Sequence, residues 1–176
     1  MEVNLIPLEL PDLPFGAMIN MLSVEAAAAF DDLTLSGRDK LLVGQNEWDW
    51  PNSFRTARFF PAVEYIQASR ARTLAMEQMA KLFAQVDVIV APTYGGIAVT
   101  NLTGHPALTL PNGLRGADAP VVPSAPEYQS RGPGTPTSLT FLGNLYGEVK
   151  LVAFAKAYQD ATEFHLQHPS SDSWLT

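Results

Sequence analysis

Apolar positions recur at two spacings along this chain, near 3.6 in some stretches and near 2 in others, and the switches predict its elements. Residues 3–8 alternate imperfectly and run into Pro7, Pro11 and Pro14, which predicts a short strand feeding a turn. Residues 15–33 predict one helix, with Met18, Leu22, Ala26 and Ala29 on a stripe, and Gly37 where the chain must stop. Glu25 lies on or beside that stripe, the position of a partly buried, paired carboxylate near a helix interface rather than of a catalytic one. Residues 39–50 form a connection whose Trp48 and Trp50 either cap the edge of a core or line a pocket. The longest helix is expected over 61–85, opened by Pro61, with Ala62, Ile66, Ser69, Thr73, Met76, Ala80 and Phe83 in one arc. Small side chains along that arc would let the helix lie close on a sheet.

The run Val86-Asp87-Val88-Ile89-Val90-Ala91-Pro92 then reads as a strand buried on both faces. Further strands are expected at 107–110, closed by Pro111-Asn112-Gly113, and at 138–142. A last helix over 147–165 carries Leu151, Ala155, Tyr158 and Thr162 on one face. A long helix, a short connection and a buried strand make an α/β unit rather than a helical bundle. Residues 114–136 shift to Pro, Gly, Ser and Ala and read as a surface loop, and 169–176 as a frayed polar tail.

Composition narrows the function classes. At 47% apolar and 16% charged, the chain of 176 residues can bury a core, and its net charge of -7 offers no footprint for nucleic acid or an anionic membrane. No apolar window approaches the roughly 20 residues a membrane-spanning helix needs. Cysteine is absent, so disulfides, thiolate metal sites and cysteine nucleophiles are excluded; with no signal peptide visible, a cytoplasmic setting is expected.

The usual site chemistries find little to work with. His165 and His168 stand three apart, but no third ligand joins them or His105, so no metal and no cofactor is expected. Gly95-Gly96 follows a strand without the lysine of a phosphate loop, and no G-x-S-x-G elbow is present. Ser170-Ser171 lies in the polar tail, and Asn101-Leu102-Thr103 matches a glycosylation sequon without a secretion signal.

From Asn101 to Gly113 the residues N-L-T-G-H-P-A-L-T-L-P-N-G fit N-x-x-G-x-P-A-x-x-x-P-x-G, which resembles the carboxy-terminal motif of the amidase-signature family. The surroundings agree in order. Asp87 to Thr93 is similar to the family's preceding strand, Pro136 to Gly143 and Glu148 to His165 to its final strand and helix, and Ala62 to Arg70 to its long upstream helix. The resemblance implies the carboxy-terminal part of an α/β/α fold, a mixed sheet of a few strands flanked by helices, with 1–176 as a single partial domain. It also implies amide-bond hydrolysis by a serine nucleophile, a bridging serine and a lysine base. Those three lie in a segment these residues do not contain, and Lys40, Lys81, Lys150 and Lys156 match none of the family's catalytic positions. No catalytic residue is therefore carried over, and the chain alone is expected to be inactive.

Tyr94, Thr100, Asn101 and Thr103 are candidate pocket residues, on loops the resemblance turns toward the cleft. Their alternative is a satisfied turn, with Asn101 and Thr103 bonded to local backbone and Gly104 allowing the bend. The expected partners are a complementary amino-terminal segment or a second copy, because part of a large sheet leaves an open strand edge and uncovered apolar surface. A small amide is a substrate only for the completed enzyme. The other function class is a non-catalytic binding or interaction module built on the same half-fold.

Overall fold

The computed structural model describes residues 3–92, 96–118 and 133–167. Its contacts divide the chain into two compact units, Glu9–Lys81 with Asn101–Thr103, and Met1–Leu8 with Leu82–Thr100 and Gly104–Thr176.

The first unit is helical. Helices α1 (Phe15–Met18), α2 (Asn20–Ala29) and α3 (Asp31–Leu35) replace the single helix expected over 15–33. The break at Phe30 has φ -106° and ψ 24°, and Asp31 and Asp32 open the next helix where its positive end favours carboxylates. Gly37, at φ 71°, ends the run as expected. A 3₁₀ turn at Arg38–Leu41 leads to α4 (Trp50–Ala57), a helix where the sequence predicts only the end of a connection; Pro51 sits in its first turn. Trp50 stacks on Phe54 with centroids 5.6 Å apart, whereas Trp48 is 88% exposed. Asp39 is buried and accepts a hydrogen bond from Arg55 at 2.7 Å. Glu25 is paired as expected, accepting from the Tyr65 hydroxyl at 3.0 Å, but it is exposed rather than partly buried.

Helix α5 (Ala62–Phe83) forms where expected, but its packed face is a different one. Tyr65, Ala68, Ala71 and Ala75 meet Met18, Met21 and Leu102 in a core cluster, while Ile66 is 57% exposed. The buried stripe is thus displaced by about one residue, roughly 100° round the helix. Alanines do form the close-packed face, on an arc other than the one their spacing predicts.

The second unit holds a three-stranded sheet in the order β1-β3-β2, from β1 (Val88–Pro92), β2 (Ala107–Leu114) and β3 (Pro136–Gly143). Both pairings are antiparallel, with Val90 opposite Phe141 and Leu108 opposite the same residue. Helix α7 (Glu148–Thr162) packs Leu151 and Ala155 onto Phe141, which is 1% exposed. The rings of Phe154 and Tyr158 meet Phe141 edge-on at 5.3 and 5.2 Å, each pair contributing about 0.5–1.5 kcal/mol beyond area burial. At Gly143 a Cβ would come within 3.2 Å of Leu151 Cβ and 3.3 Å of Pro106 Cγ, so glycine there sets how closely α7 approaches β3.

Pro111-Asn112-Gly113 does not close β2, which continues through it over a register shift between Pro111 and Leu114. Thr137 Oγ1 donates to the carbonyls of Asn112 and Gly113 at 3.0 and 3.2 Å, and the Tyr158 hydroxyl donates to Asn112 Oδ1. Gly113, at φ 91°, faces the Phe164 ring, 3.3 Å from where a Cβ would stand. These partners hold turn-forming residues inside a strand. Residues 3–8, by contrast, form no strand. They are largely exposed, and Pro7 removes one of the donors a sheet edge would need.

Candidate functional site

The residues matching the family motif begin on the connection from β1 to β2 and run on through β2 as far as Gly113. The centre of the connection is a short helix, α6 (Ile97–Thr103), with a left-handed glycine at each end: Gly96 at φ 82° and Gly104 at φ 81°. Gly104 donates its N–H to the Thr100 carbonyl at 2.8 Å and turns the chain into β2. The helix sorts the candidates. Thr100 and Thr103, three residues apart, are 6% and 2% exposed, whereas Asn101 is exposed. Thr100 Oγ1 donates to the Ile97 carbonyl at 3.1 Å. Tyr94 lies outside the described residues, as does His168.

His105 follows the helix, 4% exposed, with its ring stacked on Phe83 at 5.0 Å and 13° between planes. Burial holds its imidazole below the usual histidine pKa. The unfolded chain therefore takes up a proton that the folded chain resists. Stability should fall as pH drops below about 6.5 and level off once the depressed folded value is passed. Urea unfolding at about pH 8 and about pH 5 should show a smaller acid loss for His105→Phe than for the parent. Equal losses would assign the acid sensitivity elsewhere.

A cleft of about 190 Å³ opens where β1 begins and β3 meets α7, lined by Phe83, Val86, Asp87, Asn144, Leu145 and Lys150. Lys150 Nζ donates to Asp87 Oδ1 at 2.8 Å, and that hydrogen bond, with the charge behind it, holds the Asp87 carboxyl below the ordinary range. Both side chains are largely solvated, so the pair orients groups at the rim more than it stabilises the fold. Asn144 closes the turn into α7, with Oδ1 accepting from the Leu145 N–H at 2.8 Å and its carbonyl from the Gly147 N–H at 2.9 Å. Tyr146, within that turn, has φ 58° and is 95% exposed. Among the described residues that line it, none carries a hydroxyl or thiol, and the amine is held in an ion pair. Sequence reasoning missed the pairing of Asp87 with Lys150. Asp87 and Lys150 are 63 positions apart, and no local pattern announces such a pair.

In the helical unit a wider groove of about 470 Å³ is lined by Val24, Ala27, Ala28, Ala57 and Phe60, with the Arg58–Asp31 ion pair at its side. Among the described residues no three histidine or carboxylate side chains gather as metal ligands, and no helix is long and apolar enough to cross a membrane.

No family model matches the sequence. Among curated proteins, the chain is 30% identical over 127 residues to the A subunit of the glutamyl-tRNA(Gln) amidotransferase of Synechococcus elongatus. It is 33% identical over 114 residues to that of Thermosynechococcus vestitus. Each match takes in 60% of this chain and 23% of the relative, so the chain spans about a quarter of the curated relatives it matches. Among solved structures, a bacterial aryl acylamidase of the amidase-signature family shares the fold with a TM-score of 0.61 at 14% identity, over 90% of this chain and 36% of its own. A protein described in a study of a vestigial complex and the origins of an s-triazine catabolic enzyme gives a TM-score of 0.63 at 16% identity, over 88% and 35%. In sequence and in fold, the chain matches the carboxy-terminal portion of the amidase-signature enzymes.

Proposed function

We propose that this chain supplies the carboxy-terminal part of an amidase-type hydrolase that cleaves the C–N bond of a small amide. The colinear match to the A subunits of amidotransferases, confined to about a quarter of their length, carries the reading. A complementary segment brings the lysine and the serine pair. This chain contributes a wall of the cleft through the β1–α6–β2 connection, with Tyr94, Thr100, Asn101 and Thr103 as the residues to test against substrate. The reading includes a cytoplasmic setting, in keeping with a cysteine-free composition.

The same observation favours a second reading, a binding module that performs no chemistry. Hydrolysis assays on simple anilides and primary amides separate the two. The chain alone should show no rate above buffer. The chain combined with an amidase-signature segment from its own genome, bearing the lysine and serines, should hydrolyse at least about a thousandfold faster than either part, a modest share of what enzymes achieve. Hydrolysis by the isolated chain would overturn the division of labour, and an inert combination would leave the binding module.

A further inference from the structure

We infer that Asn112 is a self-modification site: when β2 opens, the backbone nitrogen of Gly113 converts its side-chain amide to a carboxylate, and the Tyr158 hydroxyl holds that conversion in check. Asn112 is the only asparagine of the chain followed by glycine; the others precede Leu, Met, Glu or Ser. A glycine neighbour leaves the main-chain nitrogen uncrowded and its φ unrestricted, which closure of a ring onto the side chain requires. Water is the only co-reactant. The Gly113 nitrogen loses its proton to solvent base and bonds to Asn112 Cγ. The Cγ–Nδ2 bond breaks, and ammonia leaves with a proton returned by solvent, so a succinimide forms. Water then opens one or other carbonyl of that ring, giving aspartate or isoaspartate at position 112.

The fold demands each half of this labile pair. Gly113 stands at φ 91° with the Phe164 ring 3.3 Å from where a Cβ would be, so any side chain there is strained. Asn112, half-buried in β2, offers Oδ1 to the Tyr158 hydroxyl and its carbonyl to Thr137 Oγ1 at 3.0 Å. The same contacts guard it. Attack requires the Gly113 nitrogen to swing toward Cγ about the Cα–C bond, and the extended backbone of a strand turns it away. Tyr158 fixes the side-chain amide, while Thr137 fixes the carbonyls on both sides of the attacking nitrogen. Burial lifts the Tyr158 hydroxyl above the ordinary tyrosine range, so it still donates in the mildly alkaline conditions that speed the reaction. Conversion therefore runs through chains in which β2 has left Tyr158, at a rate set by their population. Pairing with β3 is already irregular between Pro111 and Leu114, which makes this the place for β2 to open. Isoaspartate adds a carbon to the main chain and displaces Gly113 and Leu114 from Thr137 and Pro136. A strand converted in this way does not re-form.

The test incubates the full chain in mildly alkaline buffer, folded and in urea, and follows it by peptide mapping that separates asparagine, aspartate and isoaspartate. In urea Asn112 should convert well ahead of Asn101 and Asn144, whose neighbours are leucines. The folded chain should convert at least about tenfold more slowly than the unfolded one. Tyr158→Phe should keep the circular dichroism of the parent and raise the folded rate about fivefold, the factor an ordinary hydrogen bond gives, with the rate in urea unchanged. Arg55→Leu, in the helical unit, should leave the folded rate within about twofold of the parent. The repurified isoaspartate fraction should unfold at lower urea than Asn112→Asp, whose carboxylate still accepts from Tyr158. Conversion of Asn112 in urea no faster than that of Asn101 would overturn the site, and equal rates in buffer and urea would overturn its guarding by the fold. A Tyr158→Phe rate equal to the parent's, or one that Arg55→Leu matches, would overturn the part given to Tyr158. Should Tyr158→Phe not fold, Thr137→Val takes its place, with the same rise expected and the same unchanged rate counting against the guard.

Discussion

Phe141→Ala should lower stability by about 3–5 kcal/mol, roughly a fifth or more of the 5–15 kcal/mol a folded domain usually holds. Phe141 sits on the central strand at 1% exposure, against Leu151 and Ala155 and edge-on to two further rings. Alanine there removes the transfer energy of the ring and leaves a cavity whose walls belong to a strand and a helix, neither of which can close on it cheaply. Phe141→Leu, which keeps most of the volume, should cost about 1–1.5 kcal/mol. Phe59→Ala, at an 87% exposed position, should stay within about 0.5 kcal/mol of the parent. Urea unfolding followed by circular dichroism ranks the three. A Phe141→Ala loss no larger than that of Phe59→Ala would mean that α7 does not pack on the sheet.

Arg55→Leu is the second large effect, expected at about 2 kcal/mol. The cost comes from what it leaves behind: Asp39, whose side chain is 4% exposed, loses the guanidinium that meets it at 2.7 Å. A fully buried pair would cost about 3–5 kcal/mol to break, but the Arg55 side chain is 43% exposed, so water can partly reach the deserted carboxylate. Adding Asp39→Asn to Arg55→Leu should restore about half of the loss, because a neutral amide is cheaper to bury than an unpaired charge. A double variant no more stable than Arg55→Leu alone would show that packing by the arginine stem, and not charge, is what the position supplies.

The strands and the two long helices are legible in the sequence because burial imposes a period. Val88–Pro92, Pro136–Gly143 and α7 emerge within a few residues of where alternation and helical spacing place them. What fails is what a single segment cannot carry. The packed arc of α5 is chosen by Met18, Met21 and Leu102, residues far off in the chain. Pro111-Asn112-Gly113 has the chemistry of a turn, yet Thr137 and Tyr158 bond it into a strand. β1 looks like an inner strand by composition and stands at an edge of the described sheet. Among the site candidates, the residues mark the stretch from Thr100 to Gly104 but not its helical form, which buries Thr100 and Thr103 and leaves Asn101 exposed. The Asp87–Lys150 pair is invisible in the sequence because its halves meet only once the sheet has formed.

The strand order bears on how the protein is made. β1 and β2 do not pair with each other; both pair with β3, which is translated last of the three. Between Pro92 and Gly143 the ribosome must add 51 residues (143 − 92), which takes about 3–10 s at ordinary elongation rates. Throughout that interval the nascent chain displays an apolar β1 with no strand to receive it. Chaperone dependence should therefore be set by this delay in synthesis, and slowing translation within residues 119–132 should raise the aggregated fraction even though the finished protein is unchanged.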